Sequence, residues 1–203
     1  SVDFVIHCGD QADFGLTREF EWMRDELNRL RAPYVCLIGN HDCLGTGSDV
    51  FRAMYGNPDF SFNAGTYHFV CLNTNAFEYD YSVPIPDFSF LLADREATPA
   101  TTTRTVVAMQ WTADSALFDR TVVCMHAAPY SDQFNNNVAN VFQSELHKYP
   151  GLSFCVSGHD HHTRTSDLFG DGINYYQVGS AKGREYLFFT LTPNDIRYEV
   201  VRF

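Results

Sequence analysis

The sequence predicts a mixed α/β fold, and two observations support this prediction. Short apolar runs recur with the length and the β-branched or aromatic content of strands. These runs are residues 3–8, 33–39, 67–73, 121–126, 152–158, 174–179, 186–191 and 196–201. Helical patterns lie between several of them, which suggests parallel strands with helical crossovers, whereas the last three follow one another closely, as hairpins do. We therefore expect a mixed sheet or two sheets.

The helical patterns differ in strength. Between residues 17 and 30 apolar side chains recur at helical spacing, with Thr17 as the predicted N-cap and Pro33 ending the element. Residues 138–146 repeat this pattern ahead of Pro150. Weaker candidates are 48–55, 87–96 and 109–118, with a Thr-rich loop at 98–105.

Composition narrows the class of protein. A chain of 203 residues with 45% hydrophobic content can build one core, so we expect a single domain over residues 1–203. A net charge of -11 leaves no excess of Lys or Arg to neutralise a polyphosphate, which argues against a stable nucleic-acid partner. No apolar run approaches the roughly 20 residues of a membrane span. The oligomeric state stays open.

The cysteines predict buried core positions instead of a metal site. No CxxC spacing occurs, and five of the six cysteines lie within apolar strand-like runs. This usage favours a reducing compartment such as the cytoplasm. The chain begins within a predicted strand and without Met, so an export signal could have preceded Ser1, and the location stays open.

Acidic, amide and imidazole side chains follow the ends of several predicted strands. The candidate metal ligands are Asp10, Asn40, His126, His159 and His161. In open α/β sheets such strand ends converge, and glycines before the ligands let the backbone turn toward the site. Three imidazoles favour Zn, Mn, Fe, Co or Ni over Mg or Ca, and a carboxylate such as Asp10 can bridge two cations.

Four strings carry a family resemblance. GDQAD at 9–13, GNHD at 39–42, His126 of VVCMHAAP and GHDH at 158–161 resemble the calcineurin-like metallophosphoesterase family in order and spacing. The resemblance implies a four-layer αββα sandwich of two mixed β-sheets flanked by helices.

The same resemblance implies a binuclear site for two divalent metal ions. Asp10 would bridge both ions, Asn40, His126 and His159 would complete one site, and His161 would serve the other. The implied reaction is hydrolysis of phosphoric monoesters or diesters, with a small phosphorylated substrate and a bridging hydroxide as nucleophile.

The resemblance also implies an acid catalyst. His41 would protonate the leaving-group oxygen, and Asp13 would pair with His41 and favour its charged form.

One part of the family pattern is missing, because no Asp-x-His string occurs in these 203 residues. We therefore expect an N-terminally truncated chain that lacks the first strand. One metal site would keep only Asp10 and His161, so the 203 residues would bind one ion or none and their activity would be doubtful. The alternative function is a non-catalytic metal-binding or phosphate-sensing domain.

The remaining polar residues receive structural interpretations. His7 and His68 lie in apolar runs and are predicted to be packed, hydrogen-bonded core histidines. Asp42 is predicted to accept hydrogen bonds from nearby backbone. The loop at 127–135 and the aromatic stretch at 75–81 are candidates for the walls of a substrate pocket.

Overall fold

The computed structural model describes residues 2–97 and 118–203. The Thr-rich loop expected at 98–105 lies outside these ranges. So do residues 109–117 of the helix predicted at 109–118. The described strands are β1 (Val5–His7), β2 (Tyr34–Cys36), β3 (Phe60–Ala64), β4 (Tyr67–Leu72), β5 (Arg120–Met125), β6 (Leu152–Ser157), β7 (Arg164–Asp167), β8 (Asn174–Gln177), β9 (Glu185–Thr192) and β10 (Asp195–Arg202). The described helices are α1 (Thr17–Leu27), α2 (Gly47–Tyr55), α3 (Phe88–Ala97) and α4 (Ala139–Leu146).

The largest sheet in the described part of the chain has six strands in the order β3-β4-β5-β6-β8-β7. The four inner strands run parallel, and β3 and β7 close the two edges in antiparallel pairs. Strand β4 is buried along its whole length, as expected for an inner strand covered on both faces. The mixed α/β fold predicted from the sequence is therefore confirmed.

The two faces of this sheet build two different cores, because successive side chains of a strand point to opposite faces. On one face Val70, Val123 and Cys155 pack with Leu91 of α3 and Phe142 of α4. This face is covered by helices.

The opposite face is covered by strands. Phe69, Val122 and Phe154 of the six-stranded sheet pack with Ile6 of β1 and Phe189 of β9. Strands β1 and β2 form a parallel pair, and β9 and β10 form an antiparallel hairpin. The second β-layer therefore consists of two separate two-stranded sheets, where the family resemblance implied one mixed sheet.

A third core places the remaining helices outside the second β-layer. Phe20 and Leu27 of α1 and Phe51 of α2 pack against Cys36 and Ile38 from the region of β2. The order of layers is thus helices α3 and α4, the six-stranded sheet, the paired short sheets, and helices α1 and α2.

Two local predictions were wrong. The N-cap of α1 is Leu16 rather than Thr17, and the carboxylate of Glu19 accepts hydrogen bonds from the backbone N–H groups of Leu16 and Phe14 at 3.1 and 2.9 Å. The Glu19 side chain thus reaches back to backbone N–H groups at and before the N-cap, as the acidic residue of a capping box does. Strand β8 also does not belong to a terminal three-stranded hairpin, since it pairs with β6 and β7.

The described helices contain none with the length and apolar character needed to cross a membrane. All six cysteines are free. Four of the five in apolar runs are buried, as predicted, whereas the fifth, Cys8, is only half-buried.

Candidate metal centre

Four of the five predicted metal ligands meet where strands from both β-layers end. Asp10 and Asn40 follow β1 and β2, whereas His126 and His159 follow β5 and β6. The Asn40 Oδ1 atom lies 3.1 Å from His126 Nε2 and 3.2 Å from His159 Nδ1. Asp10 Oδ2 lies 3.4 Å from the same His126 nitrogen. Residues far apart in the chain thus point their donor atoms at one place.

The spacing of these atoms fits a small divalent cation. Nitrogen and oxygen ligands at about 2.1 Å from a tetrahedral Zn²⁺ lie roughly 3.4 Å from one another. His126 Nε2 lies 3.1 Å from Asn40 Oδ1 and 3.4 Å from Asp10 Oδ2, close to that value. Within residues 2–97 and 118–203, no group of three or more His, Cys, Asp or Glu side chains is arranged to hold a metal, and the cluster described above includes the amide of Asn40.

Each imidazole of the cluster has its outer nitrogen engaged. His126 Nδ1 donates to the carbonyl oxygen of Cys8 at 2.6 Å, and His159 Nε2 donates to Asp132 Oδ1 at 2.8 Å. A hydrogen bond at one ring nitrogen fixes the tautomer and leaves the lone pair of the other nitrogen for a metal. In both residues that other nitrogen faces Asn40.

Sequence reasoning missed the two groups that orient these rings. Asp132 was included only as part of a candidate pocket wall, because its contact with His159 joins residues 27 positions apart and leaves no local pattern in the sequence. The carbonyl of Cys8 leaves no signal, because every residue has one.

Two glycines make room for the cluster. A Cβ atom on Gly39 would overlap the carboxylate and the backbone nitrogen of Asp10, and one on Gly9 would overlap the His126 ring. Gly9 also has a φ of 100°, a conformation that only glycine adopts readily. Strand ends from two layers can approach this closely only without side chains at these positions.

The backbone is strained at several residues around the centre. Asp10, His159 and Tyr130 have φ values of 57°, 73° and 71°. Left-handed conformations are uncommon for residues other than glycine, and they concentrate at functional sites where the surroundings enforce them. The loops are therefore bent to aim these side chains.

The electrostatics favour an ionised carboxylate in the cluster. Burial works against the charge of Asp10, but the nearby His126 ring and the backbone N–H of His41, which donates at 3.0 Å, together lower the pKa of Asp10 below its ordinary value. Burial also lowers the pKa of His7 to about 4, and His7 Nδ1 contacts Gln11 Nε2 at 2.9 Å. His7 is thus neutral. It is hydrogen-bonded, as the sequence predicted, but half-buried rather than in the core.

The predicted acid catalyst lies beside this cluster. His41 Nδ1 donates to the backbone carbonyl of Asp13 at 2.7 Å and lies 3.5 Å from the Asp13 carboxylate. The hydrogen bond to that carbonyl, together with the charges of Asp10 and Asp13, raises the pKa of His41. The pairing of His41 with Asp13 is therefore present, although the shorter contact is made by the Asp13 backbone.

Asp42 is part of the scaffold, as the sequence predicted. Its carboxylate accepts the backbone N–H groups of Gly39 and Ala12, each at 2.8 Å. Burial raises the pKa of Asp42 to about 7. This residue ties the loop after β2 to the loop after β1.

His161 takes no part in the contacts that join the other four predicted ligands. His161 is exposed with a φ of 59°, and among the described residues no hydrogen bond or ion pair joins its side chain to Asp10. The remaining histidines have other partners: His68 is buried and lies 3.0 Å from Asp94 Oδ2, and His147 pairs with Asp171 at 2.7 Å.

A cleft of about 570 Å³ opens next to His159. Residues 128–132 form one wall, so part of the predicted 127–135 loop does line a pocket. The other candidate wall, 75–81, lies outside this cleft: the amide of Asn75 donates to the Ile38 carbonyl at 3.0 Å, and the Tyr79 hydroxyl contacts Ser48 Oγ at 2.8 Å.

Comparison with solved structures shows the same fold. The chain is similar to a dimetal phosphatase from Danio rerio, with a TM-score of 0.59, 14% identity, and coverage of 88% of this chain and 73% of that one. It is also similar to GAP50, described as the anchor in the inner membrane complex of Plasmodium, with a TM-score of 0.56, 12% identity, and coverage of 88% and 62%. No curated protein sequence matches it.

The sequence itself shows the family. The model of the calcineurin-like phosphoesterases matches residues 1–163, which include every predicted site residue. The chain therefore belongs to the calcineurin-like phosphoesterase family.

Proposed function

We propose that this protein hydrolyses phosphoric esters at a metal centre formed by Asp10, Asn40, His126 and His159, with His41 as the general acid. The observation that carries the proposal is that one ring nitrogen of His126 and one of His159 lie 3.1 and 3.2 Å from Asn40 Oδ1. The other nitrogen of each ring is already hydrogen-bonded. The family to which the chain belongs consists of phosphoesterases, which supports the reaction class.

The donor set suits a divalent ion of the Zn, Mn, Fe, Co or Ni group, because it combines imidazoles with a carboxylate and an amide oxygen. When bound, such ions stabilise charge on phosphate oxygens and supply a nucleophile from water at neutral pH. We assign a second ion to Asp10 and His161, whose side chain is exposed.

The chain's own residues hold the centre and move the proton. The Cys8 carbonyl and Asp132 keep the two imidazoles in the tautomers that present His126 Nε2 and His159 Nδ1 to the ion. In charged His41 the Nδ1–H donates to the Asp13 carbonyl, so the proton on Nε2 is the one free to leave. His41 thus protonates the leaving oxygen and returns to a neutral imidazole that keeps its bond to Asp13.

Turnover by the metal-loaded chain tests the reaction. We expect release of nitrophenol from 4-nitrophenyl phosphate or from bis(4-nitrophenyl) phosphate, and the preferred ester distinguishes a monoesterase from a diesterase. Asp10→Asn and His126→Ala should lose most of this activity, whereas His147→Ala, which alters a histidine paired with Asp171 outside the cluster, should keep it. Full activity in both cluster variants would refute the proposal.

The role of His41 is tested through the leaving group. We expect His41→Ala to lower turnover of an alkyl phosphate by about 10²- to 10⁴-fold, the usual contribution of a general acid. The loss should be smaller for a nitrophenyl ester, because nitrophenolate leaves with little need for a proton. Equal losses for both esters would show that His41 does not protonate the leaving group.

A second candidate function is metal binding without catalysis. It is favoured by the exposed position of His161. Of the two ligands proposed for the second ion, only Asp10 belongs to the convergent cluster. Uptake of metal with no turnover of either nitrophenyl ester would support this function over hydrolysis.

A further inference from the structure

The cleft beside His159 has a composition that points to the kind of molecule it binds. Its volume of about 570 Å³ lies within the range typical of sites for small organic ligands. One side is formed by the loop after β5, and the floor and other side by residues of β6, β7 and β8. The inference below rests on the proposed function, because it concerns the leaving group of the ester.

One wall of the cleft is flat and apolar. Tyr130 lines this wall with 55% of its surface exposed, and its strained φ of 71° keeps it at the edge of the cleft. The Tyr130 ring packs on Phe169 at a centroid distance of 5.3 Å, which restricts its movement. Leu168 extends the apolar surface. A ring of a ligand could stack here at little entropic cost.

The lining of the cleft also supplies an oriented donor. Arg164 Nε donates to Gln177 Oε1 at 3.0 Å, and Arg164 Nη2 donates to Asp160 Oδ2 at 2.6 Å. Among the described residues, no hydrogen-bond partner is found for the Nη1 atom of Arg164. The two bonds hold one edge of the guanidinium, so the other edge is available for an acceptor on a ligand.

The charges of the cleft disfavour a second anionic group on that ligand. Asp160 balances the charge of Arg164, and Asp132 is bonded to His159. Within the described lining, Arg164 is the sole Lys or Arg side chain. A further phosphate or carboxylate would therefore meet no uncompensated positive charge.

The floor of the cleft contains a polar atom without a partner. Ser157, at the end of β6, is 1% exposed and lines the cleft, and its Oγ has no hydrogen-bond partner among the described residues. Buried hydroxyls are normally satisfied, so an orphaned one at the base of a cleft is consistent with a site for a polar ligand or its water.

From these features we infer that the cleft binds the leaving group of the substrate, and that this group is uncharged, contains a flat ring and carries a hydrogen-bond acceptor, as a nucleoside does. Tyr130 stacks on the ring, and Arg164 positions the acceptor. The reacting phosphate then lies on the His159 side, where the cleft meets the metal centre.

Binding of adenosine to the full 203-residue chain tests this inference without any need for turnover. We expect isothermal titration to show binding, weakened about tenfold in Tyr130→Ala and again in Arg164→Ala, since stacking or a charged hydrogen bond each contributes about that much. Arg18→Ala and Tyr186→Ala are matched controls on exposed surfaces and should bind as the unchanged protein does. Thermal unfolding confirms that each variant folds.

Kinetics give a second readout. Arg164→Ala should raise KM for adenosine monophosphate about tenfold with little change in kcat, because a positioning residue acts on ground-state and transition-state binding alike. The preference for adenosine monophosphate over glycerol phosphate should fall accordingly.

The possible failures are distinguishable. Absence of adenosine binding, or binding unaffected in both cleft variants, would overturn the inference even if nitrophenyl esters are hydrolysed. Cleft-dependent adenosine binding by a chain that hydrolyses no ester would support the ligand class and refute the proposed hydrolysis.

Discussion

At the scale of single residues, the centre depends on positions where a side chain would not fit. Gly9 and Gly56 have nearly the same backbone angle, with φ values of 100° and 96°, but only at Gly9 would a Cβ meet other atoms, those of His126 and Gly39. We expect Gly9→Ala to destabilise the fold by about 1–3 kcal/mol more than Gly56→Ala. Both variants carry the backbone strain of a positive φ, but only the Cβ at position 9 overlaps neighbouring atoms. Equal unfolding free energies for the two variants, measured by urea titration, would contradict this explanation.

A second residue-scale prediction concerns the ring of His159. Asp132→Asn should weaken metal affinity about 10- to 100-fold, because the carboxylate that orients this ring through Nε2 is replaced by a neutral amide. Competition with a chelator of known affinity measures the change. Asp195→Asn, which alters an exposed carboxylate paired with Arg197, is the control. If both variants hold the metal equally well, Asp132 has no positioning role.

The sequence could predict the residues that converge because strand ends and motif spacing are local features. Asn40 and His126 each follow an apolar run, and the parallel order of the strands brings such positions together. Asp132 could not be recognised as an orienting group, because its contact with His159 depends on how the loop folds back across 27 residues. The position of His161 also depends on loop geometry.

At the scale of the elements, a buried polar network joins helix α3 to the six-stranded sheet. Asp94 of α3 accepts from the Tyr149 hydroxyl at 2.8 Å and lies 3.0 Å from His68 Nε2 of β4. The Asp94 and His68 side chains are 7% and 6% exposed. Burial opposes the charge of Asp94, but the hydrogen bonds from His68, Ser61 and Tyr149 together lower its pKa.

This network predicts a pH-dependent stability. A carboxylate with a lowered pKa stabilises the fold above its ordinary pKa and loses that contribution as the pH falls through the folded-state value. Asp94→Asn should cost about 3 kcal/mol at neutral pH, and the difference from the unchanged protein should shrink in acid. Asp25→Asn, which breaks an exposed pair with Arg24, should cost below about 1 kcal/mol. A pH-independent difference between Asp94→Asn and the unchanged protein would contradict the assignment.

Two strands escaped prediction for different reasons. Strand β3 is joined to β4 by the two residues Gly65 and Thr66, a hairpin signal that the apolar pattern alone does not reveal. Strand β7 is a short polar edge strand with mostly exposed residues, so it lacks the apolar alternation on which the prediction depends. The inner strands were predicted because burial on both faces makes them continuously apolar.

At the scale of the whole molecule, the hairpin of β9 and β10 is attached to the large sheet through aromatic packing. Phe189 of β9 stacks on Phe154 of β6 at a centroid distance of 5.0 Å. Phe189→Ala should speed hydrogen exchange across the hairpin, because the contact that holds its inner face is removed. Tyr186→Ala, on an exposed position of the same strand, should leave exchange nearly unchanged. Equal protection in both variants would show that other contacts hold the hairpin.

The layer order of the molecule could be anticipated only through the family resemblance. Periodicity identifies which segments are strands. It cannot tell that β1 and β2 form a layer separate from the sheet that contains β5, because this depends on contacts distant in sequence. The split of the second β-layer into two short sheets had no local signal.

We propose that strand ends from both β-layers form a centre that binds divalent metal. The most direct test is elemental analysis of the purified chain after dialysis against Zn²⁺ or Mn²⁺, alongside Asp10→Asn, His126→Ala and the control His147→Ala. We expect at least one ion per chain in the unchanged protein and in His147→Ala, and loss of metal in the other two. Equal metal content in all four proteins, or none in any, would contradict it.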